Sequence, residues 1–194
     1  MSLVRIFSGD AWKGTKNYLK TQRSYEIIRT ILFFSISGAL FAAGWISTGS
    51  RLNLLTIVAV LGILPASKAL VSVIMFCRYQ SLSEDSAKQI EAHVQGLTCL
   101  YDMVFTGRDK NFPVGHMTIK GNTVCGYTEA SKFDEQAFYQ HLDQLLKVDS
   151  FKNVNVKIFT DLKKYTDRLV QMQELSCDET NTKGIADTLK SVSL

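Results

Sequence analysis

The chain has 194 residues and a net charge of +4, a length that suits one compact domain plus a small additional unit. The charge is divided: residues 1–78 hold nine Lys or Arg against Asp10 and Glu26, whereas residues 79–194 hold thirteen basic and sixteen acidic residues. The basic excess thus lies beside apolar segments, and the mildly acidic remainder is a poor match for nucleic acid, whose phosphates call for clustered Lys and Arg. Cys77, Cys99, Cys125 and Cys177 show no Cys-x-x-Cys or zinc-type spacing, which argues against a disulfide framework or a metal ribbon.

Residues 1–29 read as a basic leader. Trp12, Tyr18, Leu19 and Tyr25 with the surrounding Lys and Arg suit either an interfacial helix on anionic headgroups or an extension of the helix that follows. No cleavable signal peptide is expected, because the first apolar stretch begins about thirty residues in and exceeds an h-region.

Thr30–Thr48 carries no charge over nineteen residues, close to the ~20 that span a bilayer core. Arg29 marks one end, and Trp45 sits near the other as an interfacial aromatic would. Leu54–Cys77 is a second such segment, closed by Arg78. The link between them allows only a tight turn, so the pair reads as a two-helix transmembrane hairpin. Arg5, Lys13, Lys16, Lys20, Arg23 and Arg29 precede it, while the turn holds only Arg51. The positive-inside rule then puts both termini in the cytoplasm, with the plasma membrane as the location.

Within the hairpin, Ala39, Ala43 and Ser47 recur at i, i+4, i+8, beside Gly38 and Ala42. Such spacing lets helices approach closely, either within the hairpin or in a homo-oligomer. Pro65 and Lys68 also stand out. Lys68 falls near mid-segment, about 12 Å along the helix from Phe76. An ionisable group there snorkels, bonds to carbonyls freed by Pro65, or meets an acid on another subunit.

The soluble domain spans residues 79–175. Ser83 caps a helix carrying Ala87, Ile90, Val94 and Leu97. Tyr101–Phe105 reads as a short strand, and Thr106–Pro113 as a charged loop. His116–Ile119 and Thr123–Tyr127 form a hairpin about Lys120-Gly121-Asn122. A helix with the stripe Phe138, Leu142, Leu145 and Leu146 follows. Then come a strand over Val154–Phe159 and a helix capped by Asp161 and carrying Leu162, Tyr165, Leu169 and Met172. Residues 176–194 lack a sustained period and are expected to be a flexible tail. The predicted fold is thus a membrane helical hairpin plus an α/β domain, in the order α-β-β-β-α-β-α around a small mixed sheet.

That order, with Val114-Gly115-His116 and then Gly121 to Thr128, resembles the restriction-endonuclease-like superfamily and its nuclease-related domains. The resemblance implies a metal-dependent nuclease scaffold in which an Asp-His strand is followed by a Glu-x-Lys strand. Here Gly115 stands for the Asp, Gly126 for the Glu and Thr128 for the Lys, and only His116 matches. The membrane segments with Pro65-Ala66-Ser67-Lys68 resemble those of two-helix membrane proteins of Clostridia-type bacteria, a likeness that implies no activity.

No phosphate-binding, dinucleotide, zincin, hydrolase-elbow or kinase motif is present, and no cofactor is expected. His93, His116 and His141 are dispersed. His116 with Asp102 and Glu129 forms the remaining candidate catalytic set, since a His–carboxylate pair can move protons. Arg108, Asp109, Lys110 and Phe112 form a candidate recognition loop. Three functions stay open: a membrane-anchored, non-enzymatic interaction protein with a cytosolic partner or a second copy, a membrane-tethered hydrolase, and an accessory subunit of a transporter or channel.

Overall fold

The structure, a computed structural model, describes residues 12–107, 110–151 and 153–194. It contains two compact units, one formed by Leu19–Gln80 and the other by residues 12–18 together with Ser81–Leu194.

The first unit is a helical hairpin. Helix α1 spans Tyr18–Thr48 and helix α2 spans Leu54–Cys77, about 46 and 36 Å long at 1.5 Å per residue. Both are long and apolar enough to cross a membrane, and most of each apolar window is exposed. A core helix of a soluble protein would bury that surface. The turn is tied by Asn53, whose side chain accepts the Thr56 N–H at 2.8 Å and donates to Ser50 O at 2.8 Å. The helices close where side chains are smallest. A Cβ on Gly62 would lie 2.6 Å from Ser37 Oγ, and one on Gly44 would lie 2.9 Å from Leu55 Cβ. Of the two readings of the leader, the extension of the following helix is the one seen from Tyr18 on: residues 18–29 are the first three turns of α1, burying Tyr18, Leu19, Gln22, Tyr25 and Glu26.

The second unit is a three-layer α/β domain. Its sheet has the order β1-β2-β3-β4, with β1 Thr98–Thr106, β2 Asn111–Lys120, β3 Thr123–Tyr127 and β4 Asn155–Phe159. The first three strands are antiparallel, and β4 runs parallel to β3. Helices α4 (Glu135–Val148) and α6 (Thr182–Val192) supply Phe138, Leu142, Leu146, Ile185 and Leu189 to one face of the sheet. Helices α3 (Glu84–Glu91) and α5 (Leu162–Glu174) supply Ala87, Ile90, Tyr165, Leu169 and Met172 to the other. Ser83 and Asp161 cap α3 and α5 as expected.

Four expectations are corrected here. Helix α3 ends at Glu91, because the chain turns through Gly96 at φ +72° before β1. The stretch read as a charged loop over Thr106–Pro113 is strand at both ends, since β1 runs to Thr106 and β2 begins at Asn111 and pairs Phe112 with Phe105. The tail is not flexible throughout: residues 182–192 form α6, which buries Ile185 and Leu189 completely. The element order therefore gains a helix, α-β-β-β-α-β-α-α. Finally, the domain extends beyond 79–175 at both ends, because residues 12–18 join it. Tyr101 donates its N–H to Gly14 O at 2.9 Å, and Lys13 Nζ donates to Ser193 O at 2.8 Å, so both segments close the outer edge of β1.

A docked α6 makes Leu189→Ala expensive. Removing a wholly buried Leu side chain should lower the domain's unfolding free energy by about 3 kcal/mol, measured by denaturant titration. A loss below about 0.5 kcal/mol, as for a surface substitution, would return this segment to a loose tail.

Candidate functional site

The candidate catalytic residues lie where the chain enters the domain from α2. Asp102 is buried on β1 and adopts φ +53°, a left-handed conformation that costs about 1–3 kcal/mol for a residue with a Cβ. Its Oδ1 accepts the Leu82 N–H at 2.9 Å. Opposite it on β2 is Gly115, and a Cβ there would lie 2.8 Å from Leu82 Cδ1. The entering segment thus lies directly on the glycine. The β1–β2 register is unbroken here, but the side-chain alternation of both strands shifts by one residue: Leu100 and Met103 on β1, and Val114 and Met117 on β2, all face the same core.

Glu129 holds the next residues. Its carboxylate accepts the Ser83 hydroxyl at 2.6 Å, the Ser83 N–H at 3.2 Å and the Ser86 hydroxyl at 2.7 Å. Negative charge at the start of α3 satisfies donors that the helix itself leaves open. Asp102 and Glu129 are therefore brought together, as two clamps on one connecting segment.

His116 faces a different partner. It is fully buried, and its Nδ1 makes a 2.7 Å hydrogen bond with the Tyr165 hydroxyl. That hydroxyl also lies 3.0 Å from Thr118 Oγ1. The edge of the ring packs against Tyr101 with centroids 4.5 Å apart. Burial pushes the His116 pKa down to about 3 and holds that of Tyr165 well above its usual value. Both groups stay neutral near pH 7, and the expected pairing of His116 with a carboxylate is replaced by this His–Tyr–Thr cluster.

The positions that resemble nuclease ligands do not converge. Gly115 lies beneath Leu82, on the face covered by α3 and α5. Gly126 faces the other core, where a Cβ would meet Ile158 Cδ1 at 2.6 Å and Val114 Cγ1 at 3.1 Å. Thr128 donates its hydroxyl to Pro113 O at 2.7 Å. Among the described residues, no three His, Cys, Asp or Glu side chains are grouped to hold a metal ion.

The candidate recognition loop dissolves in a similar way. Arg108 and Asp109 lie outside the described residues. Lys110 pairs with Asp134 at 2.9 Å, and this contact holds the Asp134 carboxyl below its ordinary pKa. Phe112 is a core residue, edge-on to Phe133 and Phe138.

In the hairpin, Ala39, Ala43 and Ser47 are exposed and do not form the helix contact, which uses Ser37, Gly44 and Gly62 instead. Pro65 is accommodated within α2, and Lys68 is exposed on it. The charge pattern did not single out the buried group on α1. There Arg29 Nη2 lies 2.5 Å from Glu26 Oε2, and Gln22 Nε2 donates to Glu26 Oε1 at 3.2 Å. Glu26 was visible as one of two acids, with Asp10, among the basic residues of the leader, which was its one signal. The chain matches no protein-family model, no curated protein and no solved structure.

The buried His116 makes a pH prediction with a definite sign. Its folded pKa lies below the unfolded value of 6.5, so its contribution is complete above pH 6.5 and is lost as pH falls toward 3. From pH 7 to pH 5 the loss should be about 2 kcal/mol, read by pulse proteolysis in urea. His116→Gln should flatten that dependence, and a wild-type domain equally stable at both pH values would contradict the buried neutral imidazole.

Proposed function

We propose that this chain is a two-pass plasma-membrane protein whose hairpin presents a non-enzymatic α/β domain to the cytoplasm. There the domain acts as an assembly module for a cytosolic protein or for a second copy. One observation carries the non-enzymatic part: each candidate catalytic group already has a structural task. Asp102 and Glu129 clamp the segment that leaves α2, and His116 is sealed against Tyr165. The orientation is supported by the basic residues at the outer ends of the helices, with only Arg51 in the turn.

A membrane-tethered hydrolase on a nuclease-like scaffold is the second reading. The α-β-β-β-α-β order with β4 parallel to β3 speaks for it. The two glycines at its ligand positions speak against it, since they point into opposite cores already filled by Leu82 and Ile158.

Two measurements test the proposal. With the four native cysteines replaced, a membrane-impermeant maleimide should label Ser50→Cys in intact cells and Ser176→Cys only after permeabilisation. Labelling of Ser176→Cys in intact cells overturns the orientation. The purified full chain should not cleave DNA or RNA in the presence of Mg²⁺. Cleavage abolished by His116→Ala would replace the assembly module with the hydrolase.

A further inference from the structure

Lys68 is a cation inside an apolar belt, and the hairpin's register fixes its height. Gly62 meets Ser37, and Gly44 meets Leu55. The residue numbers of each pair add to 99, so one antiparallel register relates the two helices. Six residues further along, Lys68 stands level with Ile31, within one turn of Arg29.

The exposed large apolar residues of α2 run from Leu54 to Ile74. They cover about 30 Å at 1.5 Å per residue, the thickness of a bilayer's hydrocarbon core. Lys68 thus lies about 9 Å inside the rim at Ile74, and about 21 Å from Leu54. This is the rim at which Lys20, Arg23, Arg29 and Arg78 also gather.

Its partner is not among the described residues. The Lys68 side chain makes no hydrogen bond or ion pair among the described residues, so the carbonyl released by Pro65 does not hold it. Glu26 is the only acid between Leu19 and Gln80. It is buried, with its carboxylate occupied by Arg29 and Gln22. A second copy of the hairpin would bring no other carboxylate to this height. Water-soluble anions do not enter the apolar belt. The lipid phosphate just above it is within reach of a long, flexible ammonium stem.

We propose that Lys68 holds the headgroup phosphate of an anionic phospholipid in the leaflet facing the chain's N-terminus. The neighbouring basic residues favour a headgroup of net negative charge over a zwitterionic one. The proposal rests on the membrane-spanning hairpin proposed above.

Its test uses the full chain in nanodiscs of equal parts phosphatidylcholine and phosphatidylglycerol, followed by mass spectrometry of the lipids that stay bound after mild detergent release. Phosphatidylglycerol should be enriched on the wild-type protein. Lys68→Gln should reduce that enrichment about fivefold, and Arg51→Gln at the opposite end should leave it unchanged. Equal enrichment on wild type and Lys68→Gln overturns the lipid site, as does a loss that accompanies dissociation of an oligomer, which would assign Lys68 to another subunit. Failure of the wild-type chain to enter nanodiscs would instead sink the membrane-spanning hairpin itself.

Discussion

The α/β domain depends on a buried carboxylate in a costly backbone conformation. Asp102 at φ +53° turns its side chain toward the Leu82 N–H, on the segment that follows the hairpin. Leaving the buried Leu82 donor unmade would cost about 1–3 kcal/mol, comparable with the cost of the left-handed residue. The neighbouring residue, Tyr101, gives its N–H to Gly14 O, on the segment that precedes α1. Two consecutive residues of β1 therefore tie down both stretches of chain that flank the helical hairpin. Gly115 is required opposite them because Leu82 fills the place of its side chain. The shift in side-chain alternation at this point puts His116 beside Tyr101 and under Tyr165, where it adds to the core.

The hairpin follows a different rule. Its helix contact uses small side chains, Ser37, Gly44 and Gly62, along the apolar span, and α1 also buries the polar Thr30, Glu26 and Gln22 toward its N-terminal end. Thr30 satisfies its hydroxyl on Glu26 O at 2.8 Å, and Arg29 covers the Glu26 carboxylate. Polar groups that would be costly against lipid are thereby turned inward. The outward surface is left apolar, apart from Lys68 among the charged side chains of the span.

Much of this was legible in the sequence, for physical reasons that differ by element. Helix α2 was bounded correctly because an apolar run between Asn53 and Arg78, interrupted only by Lys68, has few alternatives. The start of α1 was not, because Tyr18–Arg29 mixes charge with aromatics and gains its helical character from a buried face that composition does not reveal. Phe112 sat among charges and a proline, and only its pairing with Phe105 exposes it as core. Helix α6 carries Ile185, Leu189 and Val192 at helical spacing, but over barely two turns and with Gly184 inside. Its stability comes from tertiary packing. His116 was correctly singled out as unusual, yet its partner Tyr165 lies 49 residues away on a helix, a contact that no local spacing announces. Ala39, Ala43 and Ser47 show the opposite failure: their regular spacing is real, but the register of the hairpin turns them outward.

Site-resolved amide hydrogen exchange in the full-length chain tests the Asp102 clamp most directly. The Leu82 amide, bonded to Asp102, and the Tyr101 amide, bonded to Gly14, should exchange as slowly as the amides of the central strand around Met117. An unprotected Leu82 amide beside a protected β2 would mean that the chain leaves α2 loosely. The clamp at Asp102 and Gly115 would then not be the constraint on which the domain depends.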